Sequence, residues 1–144
     1  MKTDFEVMLK ELFGKVKDFE KDFEVIADTV IEEDMADYVR FQLLEDGTDG
    51  NDKLIQEGYS PAYALRRSAK GLQVEYVDLY FTGKFQNSFK VMDNANEYFI
   101  ESGVDYEEHL IENYGEAILE VNEQNLQTMF ERIKNETIKY FLDA

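Results

Sequence analysis

Leu72-Gln73-Val74-Glu75-Tyr76-Val77-Asp78-Leu79-Tyr80-Phe81 is the stretch on which the fold class turns. Leu72, Val74 and Tyr76 alternate with Gln73 and Glu75, a period of two that predicts a half-buried β-strand. The alternation slips at Val77-Asp78 before Leu79 and Phe81 follow, so an irregularity is expected there. Three further strands are expected, over Ser88–Met92, Tyr98–Glu101 and, as a short one, Ala117–Val121.

Helices surround these strands. Immediately upstream, Ser60-Pro61 reads as an N-cap followed by proline at the first helical position, opening a short helix to about Ala69 with Gly71 placed to end it. Farther upstream, Phe5, Leu9, Leu12, Val16, Phe19, Phe23, Ile26 and Val30 recur at alternating gaps of four and three, one stripe of a long helix with the coiled-coil average spacing. That helix is expected to reach about Glu45, with a bend or break near Asp28-Thr29, where Glu32 completes a capping box. Its phenylalanine stripe is expected to pack on the domain's own sheet. Downstream, Asp105 with Glu108 opens a short helix that Gly115 closes. Asn122 caps a final helix with Leu126, Met129, Phe130, Ile133, Thr137, Tyr140 and Phe141 at the 3–4 spacing. The expected fold is α+β: an antiparallel sheet of about four strands packed by a long N-terminal helix and a C-terminal helix. The divisions of one domain, 1–144, are a helix or helix pair over 1–45, a strand-rich core over 59–121 and a C-terminal helix over 122–143.

Composition narrows the function. Of 144 residues, 44% are apolar and 14% aromatic, including eleven Phe and nine Tyr, which is ample for a packed core. With no cysteine, disulfides, thiolate metal sites and cysteine nucleophiles are excluded. No apolar run approaches the ~20 residues of a membrane span, and no signal-peptide core opens the chain, so a cytosolic or virion-borne protein is expected. The net charge of −17 is unevenly spread. Residues 1–60 hold 7 basic and 17 acidic groups, residues 61–90 hold 5 and 2, and residues 91–144 hold 3 and 13. Most of the chain would repel a nucleic-acid backbone.

Catalytic motifs are missing where chemistry needs them. No Gly-x-Gly-x-x-Gly or Gly-x-Ser-x-Gly occurs, and Gly83-Lys84 lacks the rest of a phosphate-binding loop. His109, the only histidine, sits among Glu107, Glu108 and Glu112 and reads as a surface residue. Asp46-Gly47-Thr48-Asp49-Gly50-Asn51-Asp52 suggests a calcium loop, yet neither register places ligands and glycine correctly, so a polar turn is expected. Rings near Arg66, Arg67, Lys70, Lys84 and Lys90 are expected to face the core rather than stack on bases. No enzymatic activity, cofactor or metal is expected.

One segment is more distinctive. Tyr59-Ser60-Pro61-x-Tyr63-Ala64 precedes a basic stretch and Gly71, then Val77-Asp78-Leu79-Tyr80-x-Thr82-Gly83-x-Phe85-x-x-Ser88-Phe89-x-Val91. This resembles the signature of tail-completion and head–tail-joining proteins of tailed bacteriophages, the group that includes the virion-morphogenesis family. Tyr106, Tyr114-Gly115-x-x-Ile118 and the closing amphipathic helix are similar to that family's ending. The physical reading of the motif is structural. Ser60, Pro61 and Tyr63 start a helix, and Thr82-Gly83 makes a tight turn with a positive φ at the glycine. Leu79, Phe85 and Phe89 anchor its flanks, and Ser88 bonds back across it.

The resemblance implies a virion component, assembled in the host cytoplasm, that forms a ring at the neck and tail. A hexamer is the expected size, with portal, neck or tail proteins as neighbours. Head closure, tail termination and tail completion all remain open. Rings need one patch to meet a different patch on the next copy. Arg66, Arg67 and Lys70 are candidate contacts to a neighbour's acidic region, and an acidic lumen would let DNA pass without sticking. The alternative is an acidic soluble adaptor or a DNA-mimic inhibitor.

Overall fold

The computed structural model describes residues 2–94 and 97–143. The order is α1 (Lys2–Phe41), a π-helical turn (Gln42–Asp46), α2 (Pro61–Ala69), α3 (Lys84–Asn87), β1 (Lys90–Asn94), β2 (Glu97–Glu101), α4 (Glu107–Tyr114), a 3₁₀ turn (Glu116–Leu119) and α5 (Glu123–Asp143). Helix makes up 64% of the chain, and among the described residues the sheet is a single antiparallel pair. The expected α+β fold with about four strands is therefore corrected to a mainly helical one with one β-hairpin ladder.

Two expected strands are not strands. Over 72–81 the alternation fails where it was seen to slip: Val77 and Asp78 are consecutive and both buried, 3% and 4% exposed. A strand would send them to opposite faces. Leu79 then adopts φ +57°, which ends any extended run. Over 117–121, Ile118 and Leu119 are likewise both buried, and a 3₁₀ turn is what points consecutive side chains into the core. The remaining two strands form, shifted by a residue or two, and pair Val91 with Ile100 and Met92 with Phe99.

The long helix is also more continuous than expected. At the supposed restart, Thr29 donates its hydroxyl to the Val25 carbonyl at 2.7 Å, within the helix, rather than capping a new one. The interruption comes instead at the π-helical turn, which ends at Gly47 with φ +63°. One extra residue in that turn brings Gln42 and Leu43 into the core together. The core joins Ala36, Val39 and Leu43 to Phe85, Phe89, Ile100, Ile118 and Leu119. Each fully buried phenylalanine or leucine there contributes about 1.5–3 kcal/mol.

α5 lies antiparallel along α1. Arg132 bridges Asp34 at 2.5 Å and Glu33 at 2.7 Å, Tyr140 donates to Asp22 at 2.6 Å, and the Phe141 and Phe19 rings are 4.8 Å apart. Asn122 caps α5, its Oδ1 accepting from the Asn125 amide at 2.8 Å. The stripe of α1 is thus met by a helix, not by a sheet, and only from Phe19 onward, where Phe19 and Phe23 remain 40% and 41% exposed and Val30 is buried. Farther toward the start, Phe5, Met8, Leu12 and Phe13 are 64%, 66%, 55% and 61% exposed. At 1.5 Å per residue, about 24 Å of α1 extends beyond that last ring contact.

Gln42 ties the turn after α1 to the start of α5. It is 1% exposed. Its Nε2 donates to the Glu120 carbonyl at 2.9 Å, and its Oε1 accepts from the Asn122 amide at 2.9 Å and from Asn125 Nδ2 at 3.0 Å. Gln42→Leu keeps the volume but leaves these buried groups unpaired, so urea denaturation should show a loss of about 2–4 kcal/mol.

Candidate functional site

The distinctive segment folds around one buried charge. Ser60 caps α2, with Oγ accepting from the Tyr63 amide at 3.4 Å, and Pro61 occupies the first turn. This start fixes the phase of α2 so that Arg66 and Lys70 face outward while Arg67 turns in, 1% exposed. Gly71 at φ +74° then reverses the chain across the Arg67 side chain. Arg67 Nε donates to the Gln73 carbonyl at 2.9 Å, Nη1 to the Tyr80 carbonyl, and Nη2 to both Asp78 oxygens at 3.1 and 3.2 Å. The guanidinium also stacks 4.4 Å from the Tyr59 ring.

Asp78 is satisfied from the other side. It accepts from Tyr59 Oη at 3.0 Å, Gln73 Nε2 at 2.9 Å and the Tyr80 amide at 2.9 Å. Its own carbonyl accepts from Gln86 Nε2 at 2.9 Å, and the Gln86 carbonyl in turn accepts from Arg40 Nε at 2.7 Å. One chain of hydrogen bonds therefore runs from α2 through the irregular loop and α3 to α1. Burial, reinforced by the carboxylate of Asp78, pushes the Tyr59 phenol up to about 12.

The turn and its anchors follow. Gly83 has φ +84°, and a side chain there would press on Tyr80 and Asn87. The Thr82 hydroxyl accepts from the Lys84 amide at 3.4 Å, and Ser88 Oγ donates back to the Phe85 carbonyl at 2.7 Å. Phe85 and Phe89 are buried in edge-to-face contact 4.9 Å apart, while Leu79 packs against the core from its strained backbone. Tyr63 contacts Tyr59 at 5.3 Å and Phe81 at 6.0 Å. An open cleft of about 260 Å³ lies beside this cluster, walled by Tyr59, Tyr63, Tyr80, Phe81, Tyr106 and Tyr114. Its guanidinium is already neutralised, so the cleft offers ring faces for packing rather than a free charge.

The three candidate subunit contacts separate. Arg67 is enclosed by its own chain. Arg66 and Lys70 stand over the Phe81 ring at 5.1 and 4.3 Å and remain exposed beside Leu65, which is 73% exposed. The sequence reading missed Gln73, Asp78 and Gln86 as the partners that hold this segment; the slip of alternation at Val77-Asp78 was their visible trace. The polar turn after α1 is closed by Asp49 Oδ1, which accepts from the Asn51 and Lys53 amides at 2.8 and 3.1 Å. His109 is exposed and shares a 3.2 Å contact with Asn113. Among the described residues no three His, Asp or Glu side chains converge as a metal-binding group, and no helix is long and apolar enough to cross a membrane.

Comparison with models of known families, with characterised proteins and with solved structures finds no match to this chain. The resemblance of residues 59–91 thus stands on its own motif.

Breaking the buried pair should be costly and local charge alone should not. Arg67→Met strands Asp78 and two carbonyls, and is expected to lose about 3–5 kcal/mol in chemical denaturation. Arg66→Met, with the same change of charge on an exposed cation over a ring, should lose under about 1 kcal/mol.

The phenol adds a pH dependence. A tyrosine raised from 10 to about 12 on folding leaves stability unaffected below pH 10, and removes stability as pH climbs through 12. Thermal unfolding should therefore fall more steeply across that window in the parent than in Tyr59→Phe.

Proposed function

We propose that this chain is a structural virion protein of a tailed phage, built into a ring at the junction of neck and tail. The tail-completion and head–tail-joining resemblance of residues 59–91 supplies the phage context. The observation in the fold that supports an assembly role is the apolar face of α1 left uncovered over residues 5–15. A face of that kind marks a protein contact on an otherwise charged chain. Motif residues Leu79, Gly83, Phe85, Ser88 and Phe89 act as scaffold. The scaffold presents Leu65, Arg66 and Lys70 together on the outer side of α2. In the ring, this basic patch with an apolar centre meets the acidic surface of the next copy, a heterologous contact that closes on itself. DNA passes a lumen whose acidic residues repel it. The neighbours are portal, neck or tail proteins, and the protein resides in the virion after assembly in the host cytoplasm.

The test is genetic and structural. In a phage bearing this sequence, mass spectrometry of purified particles should detect the chain. Its deletion should leave separate heads and tails in electron micrographs, restored by the parent sequence in trans. Particles that lack the chain, or that join normally without it, would overturn the reading.

A further inference from the structure

We infer that residues 5–17 of α1 dock on the same segment of a second copy in an antiparallel, two-fold helix pair. The inference deepens the assembly reading and rests on it only in treating this face as a protein contact. The occupant follows from the helix itself. Leu9 and Leu12 continue, at the same heptad positions, the seam that Phe19 and Phe23 begin and that α5 covers from Phe19 on. Where α5 is absent, Phe5, Met8, Leu9 and Leu12 border an open groove of about 400 Å³. Those four positions are the ones that form a hole for an apolar knob in a coiled coil.

Direction is decided by α5. A partner helix lying parallel on this seam would run into α5 once it passed Lys17, because α5 already occupies the stripe from Phe19. An antiparallel partner meets no such block, since its folded body lies at the far end. In that direction Leu9 of one copy sits level with Leu12 of the other. The two edges carry opposite charges: Glu6 shares one edge with Lys17 of the second copy, and Lys15 shares the other with Glu11, each pair offset along the axis from level by a few residues. The two-fold axis repeats each pair. Helix residues without tertiary cover are marginally stable in water, so pairing also orders them. The contact leaves α2 free for ring neighbours.

Because the chain has no native cysteine, single cysteines report the geometry cleanly. In the full-length protein, Leu9→Cys mixed with Leu12→Cys should form a mixed disulfide dimer on mild oxidation. Phe5→Cys alone should not cross-link to itself, because its level partner is residue 16. Sedimentation of the cysteine-free parent should show a monomer–dimer equilibrium. Leu12→Asp should weaken it by at least about tenfold, the loss of one buried leucine. At concentrations well below the parent's dissociation constant, where both are monomers, its thermal unfolding should match the parent's, since Leu12 is exposed in the single chain. A parent that stays monomeric at about 100 micromolar, an unaffected Leu12→Asp dimer, or efficient Phe5→Cys self-cross-linking would overturn the pairing. Failure of the pairing leaves virion incorporation intact, and absence from virions leaves the dimer intact, so the two readings fail separately.

Discussion

A guanidinium taken out of water costs several kcal/mol unless every donor finds an acceptor and the charge finds a counter-charge. Inside this chain each nitrogen of Arg67 finds an acceptor and the charge finds Asp78, and the middle of the molecule is arranged to let it. Gly71 turns the backbone across the side chain, Gln73 and Tyr80 supply carbonyls, and Asp78 supplies both oxygens. Tyr59 and Gln73 complete the carboxylate. The segment 72–83 has no ladder to hold its backbone, so these side-chain bonds replace one. Through Gln86 and Arg40 the same network sets α3 against α1, and with it the position of Phe85 and Phe89 in the core.

The molecule is consequently uneven in how well it is satisfied. Around the end of α1 most polar groups are paired, with Gln42 and Asn122 locking the two long helices at their junction, while Gln86 Oε1 is buried without a partner among the described residues. Before Phe19, the described side chains Phe5, Met8, Leu12 and Phe13 of α1 stay exposed, and this part of the helix has only its own propensity to sustain it. Paired polar groups thus gather at one end of the molecule and exposed apolar surface at the other. The cleft among tyrosines, by contrast, borders a charge that is already neutralised and adds rings rather than reactive groups.

Legibility in the sequence followed locality. Ser60-Pro61 and Asn122 as caps, Gly71 and Gly115 as helix ends, and Gly83 as a positive-φ position were all readable because each depends on residues within a turn. The long amphipathic stripe was readable for the same reason. The strand over 72–81 was not, because period-two alternation is shared by a strand and by any short extended loop with apolar residues on it. What distinguishes them is whether a neighbouring strand offers hydrogen bonds, and that is a fact about distant residues. Arg67 shows the same limit. Its neighbours in sequence, Arg66 and Lys70, are solvated cations, and only the fold places an aspartate eleven residues on at its fork.

By itself, then, the sequence determined α1, α2, α4 and α5, the caps Ser60 and Asn122, the glycine turns, the acidic balance and the apolar stripe of α1, since these follow from backbone sterics, short-range hydrogen bonds and periodicity. By contrast, α3 was not foreseen, and the capping boxes expected at Asp28-Thr29 and Asp105 do not form. Tertiary structure alone decided that the alternating stretch is an irregular loop wrapped on a buried ion pair, that one basic residue of three is internal, and that α5 covers only part of the stripe. Each of those outcomes is a competition between partners far apart in the chain for the same donors, acceptors or apolar surface. A competition of that kind has no local signature, because its result depends on which groups the fold brings within bonding distance.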